Sequence, residues 1–243
     1  MDLIQALAAE LGKDPRHVEN VVHLLDEGNT IPFIARYRKE LHGAMDDTSL
    51  RTLEERLQYL RGLEERREAV KKSIDEQGKL TDELAAAIDS AKTLAEVEDL
   101  YRPYKQKRRT RATIAKEKGL EPLAALLFAQ ERDCPRPEEA ARDFVDPEKG
   151  VETVEDALQG ASDIIAEQIS DDAAIRKSLR ALISRQGQLV SRAATEDDSV
   201  YRLYYDFTQS VARLQGHQVL AINRGEKEGI LKVSITLDRE QAL

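Results

Sequence analysis

The sequence predicts a mainly α-helical protein: a multi-helix scaffold with a helix-turn-helix-like element and one long helix, followed by a small partial β element near the C-terminus. Three observations predict this class. Apolar residues recur with the helical period through most of the 243 residues. Helix-starting and helix-ending residues recur at short intervals. One segment near the C-terminus instead alternates apolar and polar residues, as a strand does.

The first helices are predicted from their end signals. Residues 3–11 form a helix that Gly12 ends, and residues 15–27 form a second that Asp14 caps. Residues 28–30 break the pattern before a third helix begins. The second helix, the glycine-containing turn and the third helix resemble a helix-turn-helix. Antiparallel helical hairpins in any bundle give the same pattern.

The third helix is short, with Thr30 as its cap and Pro32 in its first turn. We expect one side of it to be apolar, with its charged residues on the others. The residues placed on the apolar side are Ile34, Tyr37 and Leu41, and those placed elsewhere are Arg36 and Lys39.

A long helix is predicted over residues 47–77, which at 1.5 Å per residue spans roughly 45 Å. Gly78 ends it. Two shorter helices follow, one from Thr81 and one from a capping-box sequence at residues 93–96 that Pro103 ends. The outer face of the long helix mixes both signs of charge, which is typical of a solvated surface.

The second half begins with a basic connection after Pro103 and continues with further helices. A proline-rich linker at residues 134–137 interrupts them. The helices are predicted at residues 114–118, 122–129, 138–144, 154–169 and 172–185, with a short one at 198–205.

One strand is predicted at residues 230–237, while residues 218–223 fit either a partner strand or a short helix capped by Gly225. A sheet that begins without its other members suggests a piece of a longer protein. We therefore expect a helical domain at residues 1–187, with a subdivision near 131–137, and the start of a truncated second module at 188–243.

Composition excludes several classes of protein. The longest stretch without Asp, Glu, Lys or Arg, residues 214–223, is about half the length of a membrane-spanning helix, and no signal-peptide pattern opens the chain. A single cysteine, Cys134, excludes an internal disulfide and fits a cytoplasmic location. The absence of Trp and an aromatic content of 5% argue against an aromatic platform for bases or sugars.

The charge is unevenly distributed along the chain, which carries −9 overall. Residues 131–172 contain 14 acidic and 4 basic side chains, so the acidity is local. Residues 101–118 contain 8 basic side chains and one acid, a balance of +7. A polyanion would relieve the repulsion within this basic run, which makes nucleic acid a candidate partner.

Two alternatives to nucleic acid stay open for the basic run: pairing with the chain's own acidic segment, and simple solvation. A second, weaker candidate cluster lies on the third helix. The candidate nucleic-acid-binding residues are Arg102, Lys105, Lys107, Arg108, Arg109 and Arg111 in the run, and Arg36, Arg38 and Lys39 in the second cluster.

The sequence offers no catalytic or metal-binding pattern. No histidine spacing fits zinc, no glycine-rich phosphate loop occurs, and the carboxylates lie among lysines and arginines on helix faces. We therefore expect no catalytic residue, metal, cofactor or small-molecule substrate. Cys134 has no base near it in sequence, so a nucleophilic role is not expected.

Three segments carry a resemblance to a known family. They are residues 28–40 (GNTIPFIARYRKE), residues 98–112 (EDLYRPYKQKRRTRA) continuing into 114–124 (IAKEKGLEPLA), and residues 224–235 (RGEKEGILKVSI). In this order they resemble the Tex family of bacterial transcription accessory proteins, which is related to a eukaryotic elongation factor and histone chaperone.

The resemblance implies a cytoplasmic, nucleic-acid-binding protein linked to transcription, with single-stranded RNA the favoured ligand. Family members continue with an RNase H-like module, helix-hairpin-helix motifs and an S1-type barrel that binds RNA, and we expect this chain to stop before them. Two functions follow as hypotheses. The first is sequence-independent binding of nucleic acid without catalysis. The second is a scaffold that docks protein partners, either other modules of the full-length protein or the transcription machinery.

Overall fold

The computed structural model describes residues 3–106, 108–132, 134–195, 198–238 and 240. The chain forms two compact units, Met1–Tyr101 and Arg102–Leu243. The described residues contain twelve α-helices and a small three-stranded sheet, so the predicted mainly α class is confirmed. The predicted division into 1–187 and 188–243 stays a prediction.

The first unit is a bundle built around one long helix. In chain order its helices are α1 (Leu3–Leu11), α2 (Pro15–Asp26), α3 (Ile31–Tyr37), α4 (Asp47–Asp75), α5 (Asp82–Ser90) and α6 (Leu94–Tyr101). The five others all contact α4. Its 29 residues present a buried stripe because apolar side chains recur every three to four positions. This stripe comprises Leu50, Leu53, Leu57, Leu60, Leu63, Val70 and Ile74.

Local signals explain where these helices begin and end. The Asp14 side chain accepts a hydrogen bond from the Arg16 amide at the start of α2, as predicted. Gly28 has φ +85° in the turn before α3, a conformation that side chains with a Cβ seldom adopt. After α3, both His17 Nδ1 and Asn20 Nδ2 of α2 donate to the Leu41 carbonyl oxygen at 3.1 Å. The turn after α3 is thus tied to α2.

The helical part of the second unit surrounds α10. Its elements are a 3₁₀ turn (Arg102–Tyr104), α7 (Arg111–Glu117), α8 (Glu121–Ala129), α9 (Pro137–Arg142), α10 (Val154–Asp171) and α11 (Ala173–Gln186). α7, α8 and α9 all pack on α10. Small residues allow this close approach: Ala112 and Ala115 of α7 and Ala157 and Ala161 of α10 are buried in one core.

The rest of the second unit is an antiparallel sheet with one helix. Strands β1 (Gln188–Ala193), β2 (Asp206–Ser210) and β3 (Leu231–Thr236) pair in the order β2-β1-β3, and α12 (Gly216–Lys227) precedes β3. The predicted strand is confirmed as β3, but its partner β1 and the third strand β2 both lie earlier in the chain, where no strand is predicted. β1 mixes polar residues with buried Leu189 and Ser191, so its apolar alternation is weak.

Two predictions in this region are corrected. The segment for which a strand or a short helix was open is helix α12, and Gly225 does not end it. Gly225 is instead buried inside the helix, where a Cβ would lie 2.6 Å from Leu231 Cδ1, and the chain reverses at Gly229 with φ +74°. The predicted helix at 198–205 is reduced to a 3₁₀ turn, Arg202–Tyr204.

The helices were also compared with the requirements of a bilayer. None of those described has the length and apolar character needed to cross a membrane.

Candidate nucleic-acid interface

The predicted site residues form two clusters, one in each unit. The α3 cluster comprises Arg36, Arg38 and Lys39. The basic run comprises Arg102, Lys105, Arg108, Arg109 and Arg111, with Lys107 outside the described residues. Each cluster is described on its own.

The centre of the basic run is a connecting loop between the 3₁₀ turn and α7, of which residues 105–106 and 108–110 are described. The loop is held at its end by Thr110, whose hydroxyl accepts a hydrogen bond from the Thr113 amide at 3.0 Å and so caps α7. The helix that follows is fixed on α10 through buried Ala112 and Ala115. Flexible cationic side chains are therefore presented from a rigid base.

Two arginines of the run lie against carboxylates of α10. Arg102 Nε donates to Asp171 Oδ1 at 2.8 Å, and Asp171 is largely buried. Arg111 Nε lies 3.7 Å from Asp163 Oδ1, while the Arg111 side chain stays 83% exposed. Both carboxylates belong to the acidic segment 131–172. Intramolecular pairing, which the sequence left open, thus occurs for part of the run.

Arg109, Lys116 and Lys118 each contact either an acidic side chain or a backbone carbonyl oxygen. Arg109 Nη2 donates to Glu117 Oε2 at 2.7 Å in an exposed ion pair. Lys116 Nζ lies 3.2 Å from Glu121, and Lys118 Nζ donates to the Gly150 carbonyl oxygen at 2.6 Å. Exposed ion pairs contribute only about 0–1 kcal/mol, so a phosphate can displace them at little cost.

Lys105 and Arg108 differ from these residues. Both side chains are exposed, and neither forms an ion pair within the described part of the chain. Positive charge without an acidic partner is therefore concentrated in the connecting loop. A phosphate group that approached Lys105 or Arg108 would displace no carboxylate of the described residues from these two side chains.

The shallow cleft beside the loop has the opposite character. It encloses about 340 Å³ between Arg102, Arg111 and α10. Three of its lining residues are acidic, Asp163, Glu167 and Asp171. Because these carboxylates repel an anion, the exposed rim of the loop suits a phosphate better than the cleft does.

The α3 cluster is carried by a short helix anchored through Ile31 and Ile34, which are both buried. Arg38 lies with its guanidinium carbon 5.6 Å from the Phe33 ring centroid, and Arg36 lies 5.7 Å from that of Tyr37. Lys39 is exposed in the turn after the helix. Among the described residues, these three cations form no ion pair.

The predicted position of Tyr37 is wrong. The sequence analysis placed Tyr37 beside Ile34 on the apolar side, but its side chain is 58% exposed and packs against Phe33. Each step of three residues falls about 60° short of a full helical turn, so Tyr37 lies about 120° around the helix from Ile31. Leu41, placed on the same side, lies beyond the end of α3. The sequence prediction missed the exposed aromatic pair because it neglected this angular offset. The angle of each residue around the helix axis is the signal that reveals the pair.

The described residues contain no group of three or more His, Cys, Asp or Glu side chains that could hold a metal ion. Cys134 is half-buried, with Sγ 3.8 Å from the Leu126 carbonyl oxygen.

Comparison with known proteins identifies the family. The Tex-like protein N-terminal domain matches residues 1–75, and the Tex central region-like domain matches residues 133–243. The two matches together account for well over half of the chain. The chain belongs to the Tex family.

Relatives of this Tex-family chain extend beyond bacteria. It is 48% identical over 235 residues to protein YhgF of Escherichia coli, and 43% identical over 240 residues to the transcriptional accessory protein Tex of Neisseria gonorrhoeae. It is 30% identical over 247 residues to the human S1 RNA-binding domain-containing protein 1. These alignments cover 96–97% of the chain and 30%, 31% and 24% of the respective relatives. The chain therefore spans about a third or less of their length.

Proposed function

We propose that this Tex-family chain binds single-stranded nucleic acid, with RNA the favoured form, through phosphate contacts that do not read sequence. The observation that carries the proposal is the exposed connecting loop, where Lys105 and Arg108 have no acidic partner among the described residues. Arg109 and Arg111 flank them with largely exposed guanidinium groups. Contacts of this kind position a strand without recognising its bases.

The family supports the same proposal. One relative is named as a transcriptional accessory protein and another by an S1 RNA-binding domain. We infer a binding role in transcription, in the cytoplasm, without catalysis, a cofactor or a small-molecule substrate. The contacts proposed for this role are Arg102, Lys105, Lys107, Arg108, Arg109 and Arg111, with the α3 cluster as a second, weaker candidate.

The experiment is fluorescence anisotropy of labelled single-stranded RNA at several salt concentrations, with duplex DNA as competitor. For single strands, log K falls with log salt at about 0.7 per phosphate neutralised, so four to six contacts give a slope of roughly −3 to −4. Replacing Lys105, Arg108, Arg109 and Arg111 with Glu should flatten that slope. No binding of the wild-type chain at low salt, or a slope that this variant leaves unchanged, would refute the proposal.

A second candidate function is a scaffold for protein partners, such as other modules of the full-length protein or the transcription machinery. Apolar side chains on the second unit favour it: Leu203 is 84% exposed and Leu220 is 73% exposed. The acidic segment 131–172 would also attract a basic protein surface. Retention of transcription proteins by the chain after nuclease treatment would support this function over the first.

A further inference from the structure

Two aromatic rings lie exposed on the outer face of α3. Phe33 and Tyr37 are one helical turn apart, their ring centroids are 5.3 Å apart, and the rings are tilted by 46°. The side chains are 37% and 58% exposed, whereas Ile31 and Ile34, on the neighbouring face of α3, are buried. Both rings therefore keep exposed surface that a partner can reach.

The surroundings of the rings are cationic. Arg36 and Arg38 lie over Tyr37 and Phe33 respectively, and Lys39 follows directly. Glu40 is the one acid in residues 31–44, and in the described part of the chain it forms no ion pair with these three cations. An apolar peptide could pack against the rings, but it would offer no negative charge to the unpaired cations.

We propose that Phe33 and Tyr37 stack unpaired bases of a single-stranded nucleic acid, while Arg36, Arg38 and Lys39 contact the flanking phosphates. The proposal rests on the proposed function and adds a base-contacting surface to it. Aromatic rings beside a cationic path are the combination that non-sequence-specific single-strand binders use, because every base has a face that stacks. A low aromatic content overall does not prevent this, since two rings suffice.

The geometry also limits how many bases the surface holds. A base that lies flat on one ring is inclined by 46° to the other. Each ring therefore takes its own base, and two consecutive nucleotides must splay apart. A rigid duplex, whose bases stay stacked on one another, does not fit this arrangement.

The test compares three variants with the wild-type 243-residue chain. Tyr37→Leu removes an aromatic face and keeps an apolar side chain, Tyr37→Phe keeps the ring, and Phe128→Leu is the matched control. Phe128 is an aromatic residue of α8 that is 52% exposed, and no cation–ring contact is recorded for it among the described residues. Circular dichroism verifies that each variant folds as the wild type does.

The probes are a labelled twelve-nucleotide uridine oligomer and an abasic oligomer of equal length and charge. We expect Tyr37→Leu to weaken binding of the uridine oligomer at least about fivefold with an unchanged salt slope, and to leave abasic binding unchanged. Tyr37→Phe and Phe128→Leu should bind both probes as the wild type does.

The failures are distinguishable. Equal affinity of Tyr37→Leu and wild type for the uridine oligomer would overturn the stacking proposal alone, as expected if the rings serve a protein partner. An equal loss of affinity for both oligomers in Tyr37→Leu would also overturn the stacking proposal, because lost phosphate contacts or misfolding would then explain the weaker binding. No wild-type binding to either probe at low salt would refute the proposed function and the stacking proposal together.

Discussion

Neutralising the two unpaired cations of the connecting loop should change the salt dependence of RNA binding more than neutralising two paired cations nearby. The test variant replaces Lys105 and Arg108 with Gln. The matched control replaces Lys116 and Lys118 with Gln, which changes the net charge equally. In the control, the lost groups already interact with Glu121 and the Gly150 carbonyl.

The magnitude follows from the number of phosphates held. With four contacts the slope of log K against log salt is about −2.8, and with two it is about −1.4. Between 50 and 200 mM salt the affinity of the wild type should then fall about 50-fold, and that of the test variant about sevenfold. The control should keep the wild-type slope, because its side chains are not counted among the contacts.

Anisotropy titrations of one labelled single-stranded RNA at four or more salt concentrations give these slopes directly. If both double variants lower the slope by the same amount, the binding responds to net charge alone, and the assignment of contacts to the loop is wrong. If neither variant changes it, the phosphates are bound elsewhere on the chain.

Two further predictions concern stability. Gly62→Ala in α4 should stabilise the chain by about 0.5–1 kcal/mol, because the added Cβ meets nothing within 4 Å. Gly160→Ala in α10 should instead destabilise it by about 1–3 kcal/mol, because the added Cβ would lie 2.3 Å from Leu120 Cδ1 in the core. Urea unfolding of the pair checks both signs, and a stabilised Gly160→Ala would contradict the packing described here. The hydrogen bond from the Arg56 guanidinium lowers the pKa of Glu10 in the folded state. The stabilisation from this pair is therefore complete above the pKa of Glu10 in the unfolded state, and it is lost as the pH falls through the pKa of Glu10 in the folded state. Glu10→Gln should therefore lower the free energy of unfolding at pH 7, by no more than about 1 kcal/mol for so exposed a pair, and this difference should disappear as the pH falls below the folded pKa of Glu10. A difference that did not shrink at acidic pH would exclude the ion pair as its cause.

The helices were predictable because their signals are local. Asp14, Thr81 and Thr110 cap the helices that follow them, and the apolar stripe of α4 is readable at a constant period. α7 shows the limit of such signals. This helix is predicted to begin at Ile114, but Thr110 caps it and Arg111 is its first residue. The connection that precedes α7 is correspondingly shorter than predicted.

The sheet was predictable only in part, because strand pairing is not local. β3 alternates clearly, but β1 is recognisable chiefly from its two partners: it pairs with β3 over residues 188–193 and with β2 over residues 188–192. Its buried Ser191 lies opposite Phe207 of β2 and Val233 of β3. No pattern within residues 188–193 reports those neighbours.

The sequence by itself determined the helical class, most helix boundaries, the separation of acidic and basic segments and the resemblance to the Tex family. These properties depend on composition and on residues a few positions apart. Only the tertiary structure decided which cations have partners: it brings Asp163 and Asp171 of α10 to Arg111 and Arg102, and leaves Lys105 and Arg108 without an acidic neighbour among the described residues. It likewise decided that Phe33 and Tyr37 face solvent. The physical reason is that charge pairing and exposure depend on distances across the fold, between residues as far apart as 69 positions in the chain.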